Sequence, residues 1–117
     1  VGIDLGGTNI KIGCFDSKLN LICKTSEAIK ADMGPQVVVD KIAQTTEKLL
    51  ADNSLSFEQI EAVGIGAPGP SNITEGVIIA APNLPKFRNT PLRWSWLRHR
   101  LRRSPFVRRR TFCHPGI

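Results

Sequence analysis

Apolar and polar residues alternate with a period of two along Asn9–Phe15, where Ile10, Ile12 and Cys14 share one face and Asn9, Lys11, Gly13 and Phe15 the other. That pattern predicts a strand with one buried side. Upstream, Gly2, Ile3, Asp4 and Leu5 lead into Gly6, Gly7 and Thr8. Downstream, the polar stretch Asp16–Asn20 has turn composition and precedes a returning strand over Leu21–Thr25. These segments predict an antiparallel meander. A loop from Ala28 to Gln36 contains Gly34 and Pro35. Beyond it Val39, Ile42, Ala43, Thr46 and Leu49 or Leu50 recur at steps of three and four, predicting an amphipathic helix over Gln36–Ala51. Asp32 or Gly34 serves as its cap, and Pro35 suits its first turn.

After Asp52–Leu55 breaks the helix, Ser56 caps a short helical turn, with Gln59 in the capping-box position. Ala62–Ala67 is apolar and small and runs into Pro68, Gly69 and Pro70, as a buried central strand ending in a loop does. Gly76–Ala81 reads as one more strand because Val77, Ile78 and Ile79 are uniformly β-branched. Pro82, Pro85 and Pro91 are expected to keep residues 82–92 irregular. The order is strand, strand, strand, helix, short helix, strand, strand. It predicts an α/β domain with a mixed sheet and no internal repeat.

With 117 residues, the chain is sized for one domain with a real core. Its 41% apolar and 22% charged residues place it among globular chains. The net charge of +6 conceals a partition. Residues 1–92 hold eight basic and ten acidic side chains, a net −2, whereas residues 93–117 hold eight arginines and no acid, a net +8. Cys14, Cys23 and Cys113 are too few and too scattered for a disulfide framework and include no CxxC pair. A reducing, cytoplasmic setting is expected. There is no apolar run of about 18 residues for a membrane span, and no leader pattern at the start.

Candidate chemistry concentrates at the first turn. Gly6 and Gly7, lacking Cβ atoms, can bring backbone amides against an oxyanion. Thr8 adds a hydroxyl donor and Lys11 a cation. Asp4, an anion itself, suits the water shell of a Mg²⁺ ion that bridges phosphates. A plain hairpin turn would also explain two glycines. The segment is not the GxxxxGK[ST] loop, and the Gly64-x-Gly66 pair lacks the third glycine of a dinucleotide fingerprint.

GIDLGGTNIK (2–11), VGIGAPGP (63–70), TEGVI (74–78) and APNLP (81–85) together resemble, in order and spacing, the N-terminal lobe of ROK-family sugar kinases, glucokinase-like members above all. The resemblance covers about residues 1–92. It implies an actin-like ATPase (ribonuclease H-like) α/β lobe, incomplete here, and transfer of the ATP γ-phosphate to a hexose hydroxyl with Mg²⁺. It also implies a cytoplasmic protein that is often homo-oligomeric. On that likeness Asp4, Gly6, Gly7, Thr8 and Lys11 lie at the nucleotide phosphates, Ala67, Pro68 and Gly69 against the sugar, and Asn83 on a sugar hydroxyl. As an amide, Asn83 can donate to and accept from a hydroxyl, although a loop-capping role between two prolines explains it equally. Glu75, beside Gly76, reads as a solvated turn acid.

Phosphoryl transfer to a hydroxyl needs a group to orient the nucleophile and take its proton. The resemblance implies an Asp shortly after Leu92, yet residues 93–117 contain no Asp, Glu or Asn. No catalytic residue is therefore assigned, and the chain alone is expected to be inactive. Cys113 and His114 are adjacent, a poor geometry for joint metal ligation. The basic residues change from Lys before Arg88 to Arg from there on, and both tryptophans, Trp94 and Trp96, follow the change. The break points to a coding frame lost near Leu92 and to a disordered, non-homologous tail over 93–117. Two further readings remain: an arginine-rich arm binding nucleic acid or other polyanions, and a fragment of a sugar-responsive transcriptional regulator of the same family. Trp94, Leu97 and Leu101 share a helical face that a membrane surface could take up, cut short by Ser104 and Pro105.

Overall fold

Strands that bury one face and expose the other need a partner layer on the buried side. In the computed structural model, which describes residues 1–67, 69–72, 74–81, 84–91 and 110–115, that layer is a single long helix. Strands β1 (Gly2–Leu5), β2 (Asn9–Phe15) and β3 (Leu21–Ala28) form the antiparallel meander, followed by helix α1 (Pro35–Asp52) and a 3₁₀ turn over Phe57–Gln59. Strand β4 (Ala62–Ala67) returns parallel to β1, with Gly2 opposite Gly64 and Asp4 opposite Gly66. Strand β8 (Arg110–Pro115) adds in parallel beyond β4, so the sheet order is β3-β2-β1-β4-β8.

One face of α1 buries Val38, Val39, Ile42, Ala43, Thr46, Leu49 and Leu50. They join Ile3, Leu5, Ile10, Ile12, Cys14, Val63 and Ile65 in one core. Each fully buried aliphatic side chain there contributes about 1.5–3 kcal/mol relative to exposure. The one buried hydroxyl of the helix is satisfied locally, since Thr46 Oγ1 donates to the Ile42 carbonyl at 2.7 Å. Gly34, not Asp32, is the N-cap, with Pro35 in the first turn. At the other end Asn53 Nδ2 donates to the Leu49 carbonyl at 2.8 Å, taking up an orphan acceptor. The capping box forms: Gln59 Oε1 accepts from the Ser56 amide at 2.9 Å.

A second sheet of three short antiparallel strands, β5 (Ser71–Asn72), β6 (Val77–Ala80) and β7 (Arg88–Pro91), follows β4. Gly76, at φ 67°, makes the turn into β6, and its amide donates to the Asn72 carbonyl at 2.8 Å. Glycine takes that φ at no steric cost.

Three expectations are corrected. Strand β3 runs on to Ala28 rather than ending at Thr25, because β2 offers a continuous ladder up to the Asn9–Ala28 pair. Arg88–Pro91 is a strand within the stretch expected to be irregular. Among the described residues it pairs only with β6, so its terminal proline costs no ladder bond on the outer side. Arg110–Pro115, expected to be disordered, is the outermost strand of the main sheet. Residues 92–109, including Trp94, Leu97 and Leu101, lie outside the described residues. Among the described residues no helix is long and apolar enough to cross a membrane.

Candidate functional site

The Gly6-Gly7-Thr8 turn joins two strands already in register, with Leu5 opposite Ile10 and Asp4 opposite Lys11. It is tight: the Gly6 amide donates to the Asn9 carbonyl at 3.0 Å. A Cβ on Gly6 would meet that same carbonyl oxygen at 3.0 Å. Glycine is needed at residue 6 for close backbone approach. The turn is also anchored from outside, since the Thr8 carbonyl accepts from the Ile29 amide at 2.9 Å. Among the described residues no backbone carbonyl takes up the amides of Gly7 or Thr8. The Thr8 hydroxyl accepts from Asn9 Nδ2 at 3.3 Å and keeps its proton to donate elsewhere. Two amides that no described carbonyl takes up, and a hydroxyl, on a pinned turn can receive an oxyanion.

Charge is supplied beside the turn. Asp4 and Lys11 are exposed and directly opposite each other on the sheet face away from α1, in a row that continues to Gly66 on one side and Ser26 on the other. A cross-strand pair of this kind contributes at most about 1 kcal/mol when solvated. These charges are therefore available to a ligand at small cost to the fold. The face is an open hollow of ≈ 790 Å³, whose lining includes Asp4, Lys11, Lys24, Ser26 and the ring of Phe15.

Because β1 and β4 are parallel, their carboxyl ends lie at one edge of the sheet. Asp4 opposite Gly66 places Leu5, and the turn after it, next to Ala67 and the segment after it. Pro115 of β8 ends at the same edge, opposite Ala67. In open α/β sheets ligands bind outside the carboxyl ends of the strands. Gly69, at φ 109°, turns the chain away from β4, and its carbonyl accepts from Ser71 Oγ at 3.3 Å.

Asp4, Gly6, Gly7, Thr8 and Lys11 thus converge on one turn and the sheet face beside it, and the backbones of Ala67 and Gly69 reach the same edge. Pro68 and Asn83 lie outside the described residues. Glu75 is exposed in its turn, its amide donating to Asn72 Oδ1 at 3.1 Å. Ser26 escaped the sequence reading. Counting the alternation of β3 past Thr25 would have put it in register with Lys11. Among the described residues no group of three His, Cys, Asp or Glu side chains is placed to hold a metal ion.

A meander running into a helix and then a parallel strand, in the order β3-β2-β1-β4-β8, is the N-terminal lobe of the actin-like ATPase type. The ROK family model matches residues 1–109, and the chain belongs to that family. The match takes in most of the arginine-rich stretch expected to lie outside it. Over 92 residues the chain is 30% identical to the glucokinase of Thermotoga maritima, covering 79% of this chain and 27% of that enzyme. It is 35% identical over 92 residues to the N-acetyl-D-glucosamine kinase of Salmonella arizonae, covering 79% and 28%. Among solved structures, the ROK hexokinase of Thermus thermophilus superposes with a TM-score of 0.78 at 30% identity, over 97% of this chain and 34% of that one. The chain therefore spans little more than a quarter of the length of the curated relatives it matches.

Proposed function

We propose that the chain is the nucleotide- and sugar-facing lobe of a glucokinase-like enzyme that phosphorylates a hexose with ATP and Mg²⁺. The observation that carries this reading is the pinned Gly6-Gly7-Thr8 turn, set at the same sheet edge as Ala67, with two amides that no described backbone carbonyl takes up. In this reading the Gly7 and Thr8 amides and the Thr8 hydroxyl hold terminal phosphate oxygens, and Lys11 offsets their charge. Asp4 would hold a Mg²⁺ ion through its water shell, and the ion would offset the charge of the phosphates. Ala67, Pro68 and Gly69 bring backbone close to the sugar, and Asn83 exchanges hydrogen bonds with one of its hydroxyls. The relatives named above act on glucose and on N-acetylglucosamine, so the acceptor is an aldohexose or its 2-acetamido derivative.

Binding and turnover separate in this chain. No Asp or Glu side chain follows Glu75, so the segment in which the resemblance implies the catalytic carboxylate supplies none. Calorimetric titration with Mg·ATP should show binding that Asp4→Ala weakens by about tenfold or more, as loss of a charge-assisted contact does. Equal affinity of the two chains would refute the assignment of the turn. A coupled assay with glucose and N-acetylglucosamine should show no turnover by the 117-residue chain. Turnover that survives purification and is lost in Asp4→Ala would overturn its inactivity while supporting its site.

A further inference from the structure

Cys14 on β2 and Cys23 on β3 face each other across the antiparallel ladder. The Ile29 amide donates to the Thr8 carbonyl at 2.9 Å, which marks residues 8 and 29 as a hydrogen-bonded pair. Every second pair of the register repeats that state, through Ile10–Glu27 and Ile12–Thr25 to Cys14–Cys23. Hydrogen-bonded pairs hold their Cα atoms about 5.5 Å apart. A disulfide spans about 4.4–6.8 Å between Cα atoms and is commonest at about 5.5–6 Å. One step further the ladder slips, so that Phe15 pairs with Leu21 and Ile22 is the extra residue of a bulge. The bulge gives β3 the local freedom to draw its Cβ toward that of Cys14.

Access is one-sided. Cys14 is 2% exposed, whereas Cys23 is half-buried on β3, at the edge of the sheet opposite β8. Cys113, on β8, is separated from β2 by β4 and β1. Three strand spacings of about 4.8 Å put it beyond disulfide reach of Cys14.

We propose that Cys14 and Cys23 form a thiol pair that a low-molecular-weight disulfide, such as oxidised glutathione, converts to a cross-strand disulfide. The Cys23 thiolate attacks one sulfur of the reagent and expels one reagent thiolate, which takes up the released proton. The Cys14 thiolate then attacks Cys23 Sγ of the mixed disulfide and expels the second reagent thiol. The protein loses two protons and two electrons, and the reagent, taking up both, is reduced to two thiols. Burial, with the neighbouring Cys14, pushes the Cys23 thiol up, so its thiolate is scarce and the first step is slow. The equilibrium is therefore the quantity to measure. The cross-link closes the hairpin tip over residues 15–22 and leaves the opposite face, with Lys11, untouched.

The test equilibrates the full chain carrying Cys113→Ser with oxidised and reduced glutathione. Intact mass should fall by two hydrogens, and digestion should yield one peptide pair joined through Cys14 and Cys23. The equilibrium constant should exceed that of the same chain in denaturing guanidinium chloride by about tenfold or more, because the register pre-pays the approach of the thiols. Cys14→Ala in the same background should retain glutathione on Cys23. A chain that stops at the mixed disulfide with both cysteines present, cross-links only between molecules, or shows no gain over the denatured state would overturn the proposal.

Discussion

The two faces of the β1–β2–β3 meander differ although they share one backbone. The helix-side face carries Ile3, Leu5, Ile10, Ile12 and Cys14, none more than 4% exposed. One residue out of phase, the opposite face carries Gly2, Asp4, Lys11 and Gly13, with the Phe15 ring 43% exposed. On the first face side chains exclude water and supply stability. On the second, glycines and charges leave the backbone open to approach. The comparison teaches that neighbouring residues of one strand should have separable effects on folding and on phosphate binding.

The largest effect should come from the closed face. Ile12→Ala removes a side chain that is 1% exposed, and urea unfolding should show a loss of about 2–5 kcal/mol. Gly6→Ala comes next and acts on both properties. Its Cβ meets a backbone oxygen at 3.0 Å, so the turn itself must shift, at about 1–3 kcal/mol, and calorimetry should show Mg·ATP binding lost. Gly13→Ala probes the open face without touching the turn. Its Cβ would lie 3.0 Å from Phe15 Cε2 and 3.2 Å from Cζ, the mobile end of a half-exposed ring. A cost of about 1 kcal/mol is expected, and a double-mutant cycle with Phe15→Leu should return most of it.

Lys11→Ala should cost no more than about 0.5 kcal/mol in stability yet weaken Mg·ATP binding. A loss of several kcal/mol would erase the distinction between the faces. The smallest effect concerns the hairpin tip. Asp16 Oδ1 accepts from the Asn20 and Lys18 amides, each at 2.9 Å, and Oδ2 accepts from Asn20 Nδ2 at 3.1 Å. The Asn20 bonds chiefly hold its carboxyl below the usual carboxylate range. Its contribution to stability is thus present above the unfolded-state pKa and declines as pH falls through the lower folded-state value. An Asp16→Asn chain should lack that component of acid-range pH dependence in thermal unfolding.

Much of this organisation is legible in the chain. Alternation over Asn9–Phe15 assigns the two faces correctly, because a period of two leaves a strand little choice once one side must be buried. The helix, its proline start and the Ser56–Gln59 box are local devices and read as such. Strand β7 was not legible. Arg88, Asn89, Thr90 and Pro91 carry no strand pattern, and Asn89 sits at φ 47°. They form a strand because β6 offers an edge to Arg88, Thr90 and Pro91 and because Leu84 and Phe87 just before them are fully buried. The last residues of β3 and the whole of β8 were missed for a related reason: an edge strand takes its order from its neighbour's hydrogen bonds.

Local sequence marks which residues are chemically fit for the candidate site, because the glycine pair, the hydroxyl and the two charges lie within eight positions of one another. It also determined which face of β2 is buried, a property written in every second residue from Asn9 to Phe15. Tertiary structure alone decided that the turn and Ala67 share an edge, which depends on β4 lying parallel to β1 after more than fifty residues of intervening chain. It alone brought Cys14 and Cys23 into register, since hairpin register depends on the Asp16–Asn20 turn and the bulge at Ile22. Contacts between distant segments are chosen by hydrogen-bond closure and core packing, which no local pattern encodes.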